Sequence, residues 1–147
     1  MVASMSRGKK AYVQYERQLS DAIARLAQLR EELKGAIDAD AASYDAVMKA
    51  YKQAKEAANA DGIIATALKQ ATSVPLGVAE RAREVAEIAA KLGPITNPNM
   101  KSDLITAQAL AEAAIEGALA NVEINLESLN DEAFAQETRK KAALLKG

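Results

Sequence analysis

The 147-residue chain contains no cysteine and no histidine. Without cysteine there is no disulfide frame, no thiol nucleophile and no thiolate metal site. Without histidine the commonest general base is gone. So are the serine–histidine triads and the Glu-x-x-His ligand pairs of di-metal helical bundles. Catalysis has to run on carboxylates, lysine, tyrosine, serine or amide groups, and a carboxylate-only metal bundle is disfavoured. No charge sign is in surplus: 19 basic and 20 acidic residues give a net charge of −1. Such a chain has no field to hold a phosphate backbone, so nucleic acid is not an expected partner. No apolar run approaches the roughly 18 residues of a membrane span. The start, "MVASMSRGKK", lacks the basic-then-apolar order of a signal peptide. No membrane contact is expected, and the cytoplasm is the default location.

Half the residues are hydrophobic but only 3% are aromatic, so the apolar content is mainly Ala, Leu, Ile and Val. Alanine leads the helix propensity scale, and its short side chain lets helices approach closely. With only seven Gly and three Pro to interrupt the chain, the composition predicts an all-α protein. The expected form is a multi-helix, largely antiparallel up-and-down bundle.

From about Lys10 to Gly62, Leu19, Leu26, Leu33 and Val47 recur at multiples of seven, with Ile23, Ile37, Tyr44 and Tyr51 beside them. That is a helical stripe at heptad spacing. The stretch 55–62 reads as a connector, and a shorter apolar segment follows at 63–71. Pro75 lacks an N–H and disfavours helix at Val74, so one helix is expected to end there and another to run on to Leu92. Gly93-Pro94 is a strong stop. After the loop "TNPNMKSD" (96–103), Ser102-Asp103 reads as a helix start. Residues 104–129 then form a long helix with the stripe Ile115, Leu119, Val122, Leu126 and Leu129. Asn130-Asp131 caps a terminal helix over about 132–145, anchored by Phe134.

The informative residues are those that break this pattern. Asp40 falls in the series Leu19, Leu26, Leu33, Asp40, Val47, a carboxylate on a face otherwise given to the core. Burial of an unpaired carboxylate costs several kcal/mol (about 2–7 for polar groups in general) or raises its pKa. A raised pKa suits a general acid or base near neutrality. The competing reading is a kink near Gly35, with Asp38 and Asp40 capping a new segment. Asn121 and Asn125, four apart, share a helix side with Gly117, Ala114 and Ala118. Two amides there either meet the edge of a heterocycle or bond a neighbouring helix in a tight contact. The cluster Arg7-Gly8-Lys9-Lys10 is either an anion contact or a solvated terminus, and it has no P-loop spacing.

Together these strings resemble a known family. "GKKAY" (8–12), "IDADAASYDAVMKAY" (37–51), "ALKQATSVPL" (67–76), "SDL" (102–104) and "EGALANVEINLESLNDEAF" (116–134) occur in the order seen in the cyclodeaminase/cyclohydrolase family of folate enzymes. The likeness covers about residues 7–145. It implies an all-α bundle that dimerises, a tetrahydrofolate-derived substrate, and no metal or redox cofactor beyond that substrate. By resemblance, Asp40 and Asp103 are the catalytic candidates, and Lys9, Ser102, Asn121 and Asn125 the substrate-binding ones. Asp40 would carry the proton, Asn121, Asn125 and Asp103 would position the pterin or formimidoyl group, and Lys9 would meet the glutamate tail. "SDL" and "NVEINL" lean toward 5-formimidoyltetrahydrofolate cyclodeaminase. The alternatives are methenyltetrahydrofolate cyclohydrolase and a non-catalytic helical interaction module. Two departures stand out. The family's upstream helix, opened by a Pro-Gly-Gly-Gly-Ser-type motif, has no counterpart here, which implies a single domain over 1–147 shortened at its N-terminus. And "GPITNPNMKSD" replaces the family's usual Gly-Asn turn.

Overall fold

Long Ala- and Leu-rich stretches broken at few points give few, long helices. The computed structural model describes residues 1–146, and among them no strand occurs. A short helix, α1 (Val2–Ser6), leads through a 3-10 turn at Lys10–Tyr15 into α2 (Glu16–Ala54). Then come α3 (Ala60–Leu92), two 3-10 turns at Gly93–Ile95 and Pro98–Met100, α4 (Lys101–Glu127) and α5 (Glu132–Leu145). The chain runs up α2, down α3, up α4 and back along α5. This is the up-and-down all-α arrangement that the composition predicts.

The packing is a layer rather than a closed barrel of helices. α3 lies along both α2 and α4, whereas α2 and α4 scarcely touch each other. At one end α1 fills the gap between them: Val2 and Ala3 join Leu19, Ala89, Leu92 and Leu104 in one core cluster. At the other end Leu68, Val122, Leu126, Leu129 and Ala135 form a second. Between them, Ala79, Ala82, Ile115 and Leu119 seal α3 to α4 through small residues on α3 facing large ones on α4. The predicted stripe is buried in full, from Ile115 to Leu126 on α4 and on to Leu129, two residues past the helix end at Glu127.

Two expectations fail for physical reasons. Pro75 does not divide the third helix, which runs unbroken through it. A proline inside a helix costs about 3 kcal/mol, but α3 is clasped on both sides and Pro75 is itself buried. Packing outweighs the missing hydrogen bond. Asp40 is not in the core either: it is exposed. Leu19, Leu26 and Val47 of the predicted stripe do pack into the core clusters. Beside that stripe a second α2 column, Leu29, Ala36, Ser43 and Ala50, again seven apart, turns inward, with Leu29 and Ala50 buried and the other two half-buried. Thin side chains let α2 close on α3 along that line. Asp40 and the large residues Ile37, Tyr44 and Tyr51 stay on the open side.

Charged side chains fasten the layer. Arg25 on α2 donates from Nε and Nη2 to both carboxylate oxygens of Glu84 on α3, each at 2.6 Å. It also reaches Glu32 at 3.1 Å, and Arg81 donates to the same Glu32 at 2.7 Å. The terminal helix begins as predicted: Asp131 Oδ1 accepts from the Phe134 N–H at 3.0 Å, and Lys69 of α3 pairs with the same carboxylate at 2.5 Å.

Candidate active site

Because α2 and α4 stand apart over α3, a groove opens between them. Val74, Pro75 and Val78 form its floor, Leu33, Ala36, Ile37 and Asp40 one wall, and Ala114, Gly117, Ala118 and Asn121 the other. Its volume is about 510 Å³. The lining is apolar except for two side chains, the Asp40 carboxylate and the Asn121 amide, one on each wall. The structure thus brings together two residues that are 81 positions apart and that the sequence singles out separately. Asn125, half-buried, follows Asn121 by one turn on the same side of α4. Among the described residues neither amide hydrogen-bonds a neighbouring helix, so the reading of them as interhelical ties is not met.

Lys9, Ser102 and Asp103 belong elsewhere. Asp103 is in the first turn of α4, 18 residues before Asn121, which at 1.5 Å per residue is about 27 Å away. Ser102 and Asp103 are exposed and do not cap the helix; its N-cap is Met100, with no side-chain bond. The expectation fails because Pro98 starts a 3-10 turn earlier, and Asn97 takes the capping role by accepting from the Asn99 N–H at 3.0 Å. Asp103 still places a negative charge at the positive end of the α4 dipole. Lys9 is exposed at the same end of the bundle, next to Gly8, whose φ of 74° is open only to glycine-like backbones. The Gly8 N–H donates to Glu16 at 2.9 Å, so the basic loop is tied to the start of α2. The loop "TNPNMKSD" is anchored from below: the buried Ser6 hydroxyl accepts from the Asn97 N–H at 3.1 Å. That contact had no sequence signal beyond a serine at the end of a short apolar run.

A larger cleft of about 940 Å³ lies between α4 and α5. Two of its charges are committed to each other: Arg139 holds Glu123 through both Nε and Nη2, and Arg139 is pushed up and Glu123 pulled down in pKa by that pair. A third groove, of about 640 Å³, contains the equally committed Arg25–Glu84 pair, in which Arg25 holds the Glu84 carboxyl below its usual range. In the groove between α2 and α4, neither the Asp40 carboxylate nor the Asn121 amide has a hydrogen-bond or ion-pair partner among the described residues. Sequence reasoning missed its floor. The one available signal was Pro75, a helix-breaking residue retained inside a helical pattern.

An all-α layer carrying an open, apolar groove tipped by one carboxylate and one amide defines the class: an up-and-down helical bundle with a groove between two of its helices. Comparison with known proteins makes it specific. The profile of the formiminotransferase-cyclodeaminase family matches residues 1–144. The chain is 38% identical over 144 residues to a methenyltetrahydrofolate cyclohydrolase of Methylorubrum extorquens, covering 95% of this chain and 69% of that enzyme. It is 33% identical to formimidoyltransferase-cyclodeaminase of Gallus gallus, covering 94% of this chain but 26% of that longer protein. The crystal structure of formiminotetrahydrofolate cyclodeaminase from Thermotoga maritima superposes with a TM-score of 0.91 at 30% identity, over 99% of this chain and 70% of that one. The chain belongs to the formiminotransferase-cyclodeaminase family.

Proposed function

We propose that the groove between α2 and α4 binds a tetrahydrofolate derivative and makes the one-carbon bridge between its N5 and N10 nitrogens, in the cyclodeaminase direction. The observation that carries this is the pairing of Asp40 and Asn121 across an apolar groove in a member of a folate-enzyme family. N10 of 5-formimidoyltetrahydrofolate attacks the formimidoyl carbon, and the resulting tetrahedral carbon bears two ring-side nitrogens and an amino group. N10 gives up its proton, the amino nitrogen gains one, and ammonia leaves to give 5,10-methenyltetrahydrofolate. Asp40 is the proton carrier in this scheme. Its side chain is exposed to water, and a substrate lying over it would strip that water away. Asn121, with Asn125 behind it, offers both donors and acceptors to the heterocycle edge. Lys9, Ser102 and Asp103 are too distant to share this groove within one chain, and no step is given to them. No resident cofactor enters the scheme.

The protein is further proposed to work as a homodimer seated on α4. Leu110, Ala113, Gly117, Ala120 and Ile124 follow one another at alternating steps of three and four residues and all are exposed, Leu110 by 67% and Ile124 by 62%. Such a spacing is the seam of a coiled coil without its second strand, and a helix apolar on all sides is normally covered. A partner there would overhang the groove. Among the described residues no helix is long and apolar enough to cross a membrane, and the proposed location is the cytoplasm.

A second reading, methenyltetrahydrofolate cyclohydrolase, is favoured by the 38% identity to an enzyme of that name. It would use the same groove to add water to the bridge and open it to 10-formyltetrahydrofolate. Two assays separate them. Appearance of methenyltetrahydrofolate absorbance with ammonia release from 5-formimidoyltetrahydrofolate supports the first, and accelerated loss of that absorbance from the methenyl compound supports the second. Silence in both, with no folate binding by calorimetry, would leave only a non-catalytic helical module. Asp40→Asn should lower turnover by about 10²–10⁴ with an unchanged melting temperature, since the residue is exposed.

A further inference from the structure

Asp40 is the last α2 residue of the groove's lining, and one helical turn beyond it stands Tyr44. Tyr44 follows Asp40 by four residues, so the two Cβ atoms are neighbours about 5–6 Å apart on one helix face. Its side chain is 63% exposed. Among the described residues it joins no core cluster and makes no hydrogen bond, unlike Tyr12 and Tyr15, which pack against the cluster at the α1 end. Each of the groove's two polar lining residues is thus followed, one turn on and outside the lining, by a second residue: Tyr44 after Asp40 on α2 and Asn125 after Asn121 on α4. An apolar groove with one polar edge and one aromatic edge suits a flat ring that has hydrogen-bonding groups on its rim.

We infer that Tyr44 is the stacking surface for a flat ring of the ligand, holding it with its polar edge against Asn121 and Asn125 and its reacting nitrogens over Asp40. The inference rests on the folate reading and extends it by one contact residue. Stacking needs the ring and not the hydroxyl, and exposed tyrosine substitutions away from special features leave stability nearly unchanged. Tyr51, seven residues further along the same helix and also exposed, is the matched control.

The test is calorimetric titration of the full chain with tetrahydrofolate and 5-formimidoyltetrahydrofolate, alongside thermal melts and sedimentation. Tyr44→Ala should weaken binding about tenfold, as loss of one aromatic stack does, while Tyr44→Phe and Tyr51→Ala bind as wild type and all four proteins melt alike. If wild type binds and Tyr44→Ala binds within twofold of it, the stacking role is overturned and the folate reading survives. Loss of dimer in Tyr44→Ala would also overturn it, by showing the ring to be an interface residue. If wild type binds neither folate, the folate reading itself fails.

Discussion

Gly35 and Gly117 each sit inside a long helix, and a Cβ placed on either meets no atom within 4 Å. Glycine in a helix interior is less stable than alanine by about 1 kcal/mol because its backbone loses more freedom on folding. In an isolated chain Gly35→Ala and Gly117→Ala should therefore stabilise equally. Unfolding entropy is about 2.1 cal/mol/K per residue, so for 147 residues 1 kcal/mol corresponds to about 3 °C in melting temperature. The positions differ in two respects, since Gly117 also lines the groove. Gly35 lies outside both the groove and the exposed α4 seam, whereas Gly117 is at the centre of that seam. A second copy packed on α4 would meet the new methyl group. Gly35→Ala should rise by about 3 °C; Gly117→Ala should gain less or fall, with a gap that widens with protein concentration. Scanning calorimetry at two concentrations, with sedimentation in parallel, reads both. Equal gains at all concentrations would refute the placement of a partner on α4, and no gain at Gly35 would refute the propensity argument beneath it.

Leu29→Ala empties a fully enclosed site at the α2–α3 contact and should cost about 3 kcal/mol, or roughly 10 °C on the same entropy scale; a shift under about 3 °C would mean α2 collapses into the gap. Glu84 has a lowered pKa, caused first by its bond to Arg25. A carboxyl depressed on folding adds stability above its unfolded pKa of about 4.3, and that contribution disappears as pH falls through the folded value. Glu84→Gln should therefore melt below wild type at pH 7, with the gap closing as the pH falls well below 4; a gap that persists in acid would show the pair is not its source. Asp131→Ala removes both the α5 cap and the Lys69 partner, and the Phe134 amide should then exchange faster with solvent than amides in α4, as hydrogen-exchange NMR would show.

Much of the fold was legible because single-helix signals are local. The α4 stripe, the Gly93-Pro94 stop and the Asp131 start each depend on a few neighbouring residues, and each is found where predicted. The errors came where a neighbour decides. Pro75 reads as a break until α2 and α4 are seen to hold α3 from both sides. Asp40 reads as buried when its stripe is drawn through Leu33 and Val47, yet α2 turns its thinner column toward α3 and leaves the carboxylate at the lip of the groove. Asn121 was a visible anomaly, but its partnership with Asp40 depends on two helices that do not touch. Ser102 and Asp103 match a motif in words while standing five turns from Asn121, a separation that only the helix rise exposes.

The layered order of α2, α3 and α4 also bears on how the chain reaches this state. Every large contact joins consecutive helices, with residues 55–59 closing one hairpin and 93–100 the other. Short closures cost little entropy, and chains dominated by local pairing fold in microseconds to milliseconds. The α3–α4 hairpin, with the larger shared core, is the natural nucleus, and α2 docks onto a surface already made. Because α2 leans chiefly on α3 over its second half, the wall that carries Asp40 is the part of the molecule best able to open while the rest stays folded.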